Sequence, residues 1–157
     1  MKLWRVAAET REYAATDMTG AGAAKHPGRW NHYKEAVVYC APTIAMAVLE
    51  TAAHIDDSGL PSNRYLIEIE VSDATWARRE QVDVAKMPPT WAAIPAGRAS
   101  AKFGSDWIAS LRSAVLMVPS VIVPEEWVSL INPAHPDAST ITAKVLRVFE
   151  YNRLFRS

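Results

Sequence analysis

The chain reads Ala36-Val37-Val38-Tyr39-Cys40 and then Pro42-Thr43-Ile44-Ala45-Met46-Ala47-Val48-Leu49-Glu50, a strand pattern followed directly by a helix pattern. The first run is rich in β-branched and aromatic residues, which favour strands. Thr43 is a suitable N-cap, because its hydroxyl accepts an unpaired N–H of the first helical turn. We therefore predict a strand over 36–40 and a helix from Thr43 to about His54.

Further strands are predicted on both sides of this unit. Leu3-Trp4-Arg5-Val6 indicates a short opening strand, and the small residues of 14–28 indicate a loop. Apolar and polar residues alternate from Tyr65 to Val71, which is typical of a strand with one solvent-exposed face. Weaker alternation over 141–151 predicts a closing strand.

Two later segments complete the pattern. Ser105 is predicted to cap a helix whose apolar stripe is Trp107, Ile108, Leu111 and Val115. Residues 118–123 predict a buried strand. Because helices and strands alternate along the chain, we expect an α+β fold in which helices flank a mixed sheet.

Composition restricts the class of protein. The chain has 157 residues, half of them hydrophobic, so we expect one domain spanning 1–157. The 17 basic and 17 acidic side chains balance, which argues against nucleic acid as a partner of this chain. No apolar run is long enough to cross a membrane, and the start lacks a secretory signal. With Cys40 as the single cysteine, a cytoplasmic location is predicted.

Metal and nucleotide signatures are absent from the sequence. It contains no paired cysteines, no His-Glu-x-x-His and no glycine-rich loop ending in Lys-Ser or Lys-Thr. The four histidines lack ligand spacing, so no metal site is predicted. Cys40 is interpreted as a small buried side chain rather than a nucleophile, since nothing in the sequence would lower the pKa of its thiol.

One short cluster combines groups suited to an anionic ligand. In Gly28-Arg29-Trp30-Asn31, the glycine frees the backbone next to a guanidinium that can bind two phosphate oxygens at once. A turn with a surface arginine and a core tryptophan explains the same four residues. The cluster by itself leaves both interpretations open.

Taken in order, five motifs closely resemble the RES-domain family. They are Gly28-Arg29-Trp30-Asn31, Ala36-Val37-Val38-Tyr39-Cys40-Ala41, Ala47-Val48-Leu49-Glu50, Val118-Pro119-Ser120-Val121-Ile122-Val123-Pro124 and Ile131-Asn132-Pro133-Ala134-His135-Pro136. The family is named for an Arg, a Glu and a Ser, which match Arg29, Glu50 and Ser120. The resemblance extends from Trp4 to about Phe149, and it is weakest at Trp127-Val128-Ser129.

The resemblance implies a specific function. Proteins of this family are typically toxins of bacterial toxin–antitoxin pairs, paired with an antitoxin that carries an Xre-like helix-turn-helix domain. Their fold is similar to that of ADP-ribosyltransferase toxins, and they degrade NAD by hydrolysis or phosphorolysis; some attach ADP-ribose to a protein. NAD is then a substrate, and no separate cofactor is expected. A homodimer or a higher toxin–antitoxin assembly is compatible with the sequence, which does not determine the oligomeric state.

The resemblance also implies roles for individual residues. Arg29, Tyr39, Glu50 and Ser120 form the predicted catalytic set, and Trp30 and Asn31 join Arg29, Tyr39 and Ser120 in the predicted substrate-binding set. Glu50 would stabilise positive charge on the ribose as nicotinamide leaves. Arg29 would hold the pyrophosphate, and Tyr39 would stack on nicotinamide or ribose. Ser120 has no evident histidine base, so it is assigned to binding and positioning rather than covalent catalysis.

Alternatives remain for the single residues and for the whole chain. Taken alone, Glu50 is compatible with an ordinary surface glutamate, and Tyr39 with a core tyrosine. The whole chain is also compatible with a catalytically silent RES-like module that binds proteins. A nuclease is disfavoured, because the net charge is zero and an acidic metal cluster is missing.

Overall fold

The computed structural model describes residues 1–56 and 58–151. Its helices are α1 (Ala21–Lys25), α2 (Ile44–Ala52), α3 (Asp73–Ala77) and α4 (Arg98–Ser110). Its strands are β1 (Lys2–Ala8), β2 (Val38–Cys40), β3 (Arg64–Glu70), β4 (Glu80–Gln81), β5 (Val115–Pro119), β6 (Trp127–Ile131) and β7 (Thr142–Phe149). Short 3-10 helices cover Val84–Lys86, Pro89–Ala92 and Pro136–Thr140. The predicted α+β class is confirmed.

The described strands form two sheets. One has the order β1-β3-β7 and is antiparallel, and the other has the order β2-β6-β5-β4, in which only the β4–β5 pair is parallel. A pair of backbone hydrogen bonds between Trp4 and Ala41 brings β1 beside the end of β2. This contact places the opening strand next to the strand that carries Tyr39.

The unit from Val38 to Ala52 forms much as predicted. β2 runs directly into α2, and the hydroxyl of Thr43 accepts the N–H of Met46 at 3.1 Å. Met46 and Ala47 are buried in a small cluster with Ala41, and α2 packs against β1. This packing fixes the helix face on which Glu50 lies.

The prediction that β3 has one solvent-exposed face was wrong. β3 is the central strand of its sheet, and Leu66, on the face predicted to be wet, is fully buried. Glu68 is 7% exposed, and its carboxylate pairs with Lys2 and Lys144 from the two neighbouring strands at 3.2 Å each. Cross-strand ion pairs therefore allow the polar positions of the alternating pattern to be buried.

The bounds of several elements also differ from the sequence prediction. α4 begins at Arg98, so Ser105 lies inside the helix, where it donates to the Glu35 carboxylate instead of capping an N-terminus. The helix ends at Leu111, which has a positive φ of 52° and is exposed. α1 forms within the predicted loop 14–28. β5 ends at Pro119, before Ser120.

Candidate active site

A cleft of about 740 Å³ opens between the two sheets and α2. This volume lies within the roughly 300–1,000 Å³ typical of small-molecule sites. Of the predicted site residues, the cleft is lined by Arg29, Trp30, Tyr39, Glu50 and Ser120. Side chains that lie far apart in sequence thus meet in one cavity, and Asn31 alone of the predicted set is not part of the lining.

Glu50 and Ser120 are joined directly. Ser120 is 1% exposed, and its hydroxyl donates to Oε1 of the half-buried Glu50 at 2.5 Å. The Oγ atom of Ser120 in turn accepts the N–H groups of Ile122 and Val123, both at 3.1 Å. These bonds form a turn directly after β5, and the strand therefore ends four residues earlier than predicted. Because the hydroxyl hydrogen is directed to a carboxylate, Ser120 is placed to orient Glu50.

The loop arginine is anchored by backbone carbonyls. Nη1 of Arg29 donates to the carbonyl oxygens of Trp91 and Ala93 at 2.8 and 2.7 Å. Burial lowers the pKa of Arg29, while the nearby Glu50 and Tyr39 oppose this effect. Among residues 1–56 and 58–151, Arg29 has no ion-pair partner. Its charge is therefore fixed in position but not neutralised by direct contact.

Tyr39 holds in place the loop of residues 28–31, called the arginine loop because it carries Arg29. Its hydroxyl accepts the N–H of Trp30 at 3.0 Å and donates to Oδ1 of Asn31 at 2.7 Å. Burial raises the pKa of Tyr39 above its usual value, so the phenol stays neutral and remains a donor. A side chain at Gly28 would begin 2.7 Å from the Tyr39 ring and hydroxyl. The tight approach requires glycine there.

Asn31 lies behind the cavity wall and is 2% exposed. Its Oδ1 accepts the Gly28 N–H and the Tyr39 hydroxyl, and its Nδ2 donates to three carbonyls, those of Ala23, His32 and Glu35. Every polar atom of the side chain is satisfied within the protein. In this arrangement Asn31 supports the loop from behind rather than facing a ligand.

Trp30 is almost entirely a core residue. It is 3% exposed, stacks on Trp91 with ring centroids 6.1 Å apart, and meets Phe103 edge to face. Gly104 of α4 approaches its backbone so closely that an added Cβ would lie 1.7 Å from the Trp30 carbonyl oxygen. The tryptophan of the 28–31 cluster thus lies in the core, as the turn interpretation has it, and the arginine lines the cleft, where its binding of an anion stays a prediction.

Sequence reasoning missed three basic residues of the cleft, namely Arg5, His26 and His54. His54 follows Glu50 by four residues, and this spacing in the predicted helix was a usable signal, although α2 itself ends at Ala52. Cys40 also borders the cleft, but it is 5% exposed, and burial raises the pKa of its thiol to about 12. The interpretation of Cys40 as a buried, unreactive side chain is supported.

Residues 1–56 and 58–151 contain no group of three or more His, Cys, Asp or Glu side chains arranged to hold a metal ion. No helix in the same part of the chain is long and apolar enough to cross a membrane.

The fold and cleft define an α+β protein in which a serine-held carboxylate and an anchored arginine share one cavity. The model of the RES domain family matches residues 2–153, and the chain belongs to that family. The resemblance predicted from the motifs is confirmed.

Several relatives are similar over nearly the whole chain. A protein of Sphingobium sp. (strain YBL2) named Prs ADP-ribosylating toxin is 52% identical over 149 residues, covering 95% of this chain and 92% of its own. A protein named Toxin Res from Yersinia enterocolitica is 37% identical and covers 92% of each chain. Another Toxin Res, from Pseudomonas putida, is 32% identical, covering 99% of this chain and all of its own.

A solved structure shares the fold. The crystal structure of the M. tuberculosis MbcT–MbcA toxin–antitoxin complex contains a chain that matches with a TM-score of 0.63. The match covers 93% of this chain and 84% of the other, at 15% sequence identity. At that identity the likeness establishes the architecture alone.

Proposed function

We propose that this chain is the toxin of a toxin–antitoxin pair and that it cleaves the nicotinamide–ribose bond of NAD. The observation that carries the proposal is the Glu50 carboxylate, held by the Ser120 hydroxyl in the same cleft as the anchored Arg29. Curated relatives named as toxins support the first half. The chemistry of the cleft supports the second.

The reaction needs two kinds of group, and the cleft offers both. When the C–N bond to nicotinamide breaks, its electron pair leaves with the neutral nicotinamide, and positive charge develops on the ribose. A carboxylate fixed in advance stabilises that charge without having to reorganise. Arg29 holds the pyrophosphate through its donors other than the anchored Nη1, which places the ribose near Glu50. NAD serves as substrate, and no further cofactor takes part in the scheme.

Ser120 acts as a positioning residue in this scheme. Its oxygen accepts two backbone amides and its hydrogen is directed to Glu50, and no histidine of the described residues is hydrogen-bonded to it, so we assign it to positioning rather than to nucleophilic attack. Tyr39 contributes its ring to the cavity wall while its hydroxyl holds the loop. The nucleophile that completes the reaction comes from outside this set of side chains.

Water, inorganic phosphate and a protein side chain are the three classes of acceptor. Water gives ADP-ribose, and phosphate gives ADP-ribose phosphorylated at the same carbon; each reaction releases nicotinamide. Transfer to a protein is a second candidate function, favoured by the 52% identity to a relative named as an ADP-ribosylating toxin. The same Glu50 and Arg29 serve all three outcomes, because the acceptor enters after nicotinamide has begun to leave.

The partner proposed for this toxin is an antitoxin with an Xre-like helix-turn-helix domain, acting with it in the cytoplasm, where NAD is available. The toxin–antitoxin complex among the structural neighbours supports such an association. Residues 1–34 hold six basic and three acidic side chains, which suits an acidic antitoxin segment docked near Arg29.

Mass spectrometry of the reaction products tests the proposal. Purified protein is incubated with NAD in phosphate-containing and phosphate-free buffer, and in a third reaction with cell extract and a tagged NAD. Release of nicotinamide in any reaction supports the function. The second product, which carries the ADP-ribose group, identifies the acceptor. Intact NAD in all three, with folded protein, overturns it.

A further inference from the structure

Glu35 lies outside the lining of the cleft, but its carboxylate joins two elements that support the cleft. The side chain is half-buried. Its Oε1 accepts the backbone N–H of His32, directly after the arginine loop, at 2.6 Å. Its Oε2 accepts the hydroxyl of Ser105 on α4. One carboxylate thus connects the end of the arginine loop to a helix residue 70 positions further along the chain.

The turn that carries Glu35 is tight. The N–H of Glu35 donates to the carbonyl of His32 at 3.1 Å, and Lys34 between them has a φ of 72°. A positive φ is uncommon for a residue such as lysine, and it persists where the surrounding contacts hold it. The bonds from Glu35 to His32 and Ser105 are such contacts. They hold the turn against both the loop and the helix.

Hydrogen bonds continue from this turn into the arginine loop. Nδ2 of Asn31 donates to the carbonyls of His32 and Glu35, at 3.1 Å each. The two carbonyls belong to the ends of the turn that the Glu35 carboxylate closes. The position of the Asn31 side chain therefore depends on Glu35.

Asn31 in turn fixes the residues on both sides of Arg29. Its Oδ1 accepts the N–H of Gly28 at 2.9 Å and the hydroxyl of Tyr39 at 2.7 Å. The Tyr39 oxygen accepts the N–H of Trp30 at 3.0 Å. The residue before Arg29 and the residue after it are thus held by one network, and that network ends at Glu35.

α4 supports the loop at two adjacent residues. Gly104 lies so close to the Trp30 carbonyl that only glycine fits there, and Ser105 donates to Glu35. The helix has 13 residues, and it is anchored in the core by Trp107, which is fully buried. A side chain that is fixed to a rigid element is positioned more precisely than one held by a loop alone.

We propose that Glu35 is a positioning residue for Arg29. It fastens the arginine loop to α4, and the loop presents the guanidinium to the cleft. The identity of the ligand that Arg29 binds, a pyrophosphate, rests on the proposed function. A carboxylate that served only the stability of the turn would leave the ligand affinity of the cleft unchanged, because Glu35 lies outside the cleft lining.

Two substitutions of Glu35 separate these roles in calorimetric titration with ADP-ribose. Glu35→Ala removes both side-chain bonds. Glu35→Gln keeps both, since its Oε1 can accept from His32 while its Nε2 donates to the Ser105 oxygen. We expect Glu35→Ala to bind ADP-ribose about 2- to 30-fold more weakly, the range for a residue that acts on a site without touching the ligand. Glu35→Gln should restore most of the affinity, and Glu70→Ala, at an exposed glutamate on β3, is the control.

Amide hydrogen exchange reads the arginine loop without any ligand. The N–H groups of Gly28 and Trp30 should exchange faster in Glu35→Ala than in wild type, by about the same 2- to 30-fold. In Glu35→Gln they should exchange at nearly the wild-type rate. This measurement does not depend on the reaction that the protein catalyses.

Steady-state kinetics with NAD distinguish positioning of Arg29 from a general loss of structure. We expect KM to rise in Glu35→Ala while turnover at saturating NAD stays close to that of wild type, because Glu50 and Ser120 are untouched. Ser105→Ala breaks only the bond to α4, so its effect should be smaller. Adding Ser105→Ala to Glu35→Ala should cause no further loss, since the two residues act through one bond.

Three results would overturn the proposal. One is wild-type affinity for ADP-ribose in folded Glu35→Ala. Another is an equal loss in Glu35→Gln and Glu35→Ala, which would assign the effect to the charge instead of the hydrogen bonds. The third is unchanged exchange of Gly28 and Trp30. If wild type neither binds ADP-ribose nor cleaves NAD, the proposed function fails, and faster exchange in Glu35→Ala still supports the positioning of the loop by Glu35.

Discussion

The hydroxyl of Ser120 donates its hydrogen to Oε1 of Glu50, and this bond connects two residues 70 positions apart. It ties the second turn of α2 to the segment that follows β5. A glutamate on a helix would otherwise sample several rotamers, and the bond selects one that faces the cleft. The carboxylate is thus preorganised before any substrate arrives.

Ser120→Ala should therefore reduce catalysis through misplacement of Glu50. We expect turnover to fall by up to about 100-fold, the effect of misplacing a reacting group by about 1 Å, with a small change in ADP-ribose affinity. The N–H groups of Ile122 and Val123 also lose their acceptor, so the free energy of unfolding should fall by about 1–3 kcal/mol. Steady-state kinetics and urea unfolding measure the two effects. The control Ser139→Ala, at an exposed serine, should change neither the turnover nor the free energy of unfolding. If Ser120→Ala has the turnover of wild type, the position of Glu50 does not depend on this bond.

Arg29→Lys should weaken NAD binding. The Nη1 group of Arg29 donates to the carbonyl oxygens of Trp91 and Ala93, while its other donors stay free for a phosphate. The ammonium of a lysine, at the end of a flexible chain, cannot bind these carbonyls and a phosphate at the same time. We expect KM for NAD to rise by about tenfold or more, as for loss of a charged hydrogen bond. Arg79→Lys, at an exposed arginine outside the cleft, is the control. A KM equal to that of wild type would remove the phosphate role from Arg29.

Gly104→Ala tests whether α4 supports the arginine loop. The added Cβ would lie 1.7 Å from the Trp30 carbonyl oxygen, so helix or loop must move. We expect a loss of about 1–3 kcal/mol in the free energy of unfolding, as for an overpacked core. Gly22→Ala on α1 is the matched control, since nothing lies within 4 Å of its added Cβ. Equal melting temperatures for the two variants would contradict the close approach.

Cys40 should make the protein less stable at alkaline pH. Burial raises the pKa of its thiol from about 9 to about 12, so the unfolded chain loses this proton at lower pH than the folded protein. The stabilisation is complete below pH 9 and is lost as the pH rises toward 12. Relative to Cys40→Ala, wild type should lose about 1.4 kcal/mol by pH 10, one pKa unit above the unfolded value. Parallel pH profiles for the two proteins would mean that the thiol titrates alike in both states.

Local patterns predicted the elements that depend on local chemistry. The strand and helix over 36–54 follow from β-branched residues and the Thr43 cap, and both are present. Ser105 has the chemistry of a cap but lies within α4, because tertiary packing carries the helix back to Arg98. In β3, the alternation of apolar and polar residues predicts a strand but not its place in the sheet. Because β3 lies between β1 and β7, Glu68 is buried and pairs with a lysine from each neighbour.

The site residues were predicted from the family resemblance and not from the periodicity of the sequence. Nothing in the local sequence joins Glu50 to Ser120, because only the folded chain brings them together. Arg5 stood in a correctly predicted strand, and its place between Leu3 and Ala7 on one face was readable as an anomaly. The cleft that explains this position forms only when β1, β2 and α2 have packed.

The Glu50→Gln variant measures whether the charge of Glu50 stabilises the ribose as nicotinamide leaves, through its turnover of NAD. The amide keeps the shape of the side chain and can still accept from Ser120, but it removes the negative charge. We expect a near-normal melting temperature and ADP-ribose affinity, with turnover reduced by about 10²–10³-fold. Glu70→Gln, at an exposed glutamate on β3, should leave turnover unchanged. Turnover by Glu50→Gln within a few fold of wild type would show that the charge of Glu50 does not stabilise the ribose in the reaction.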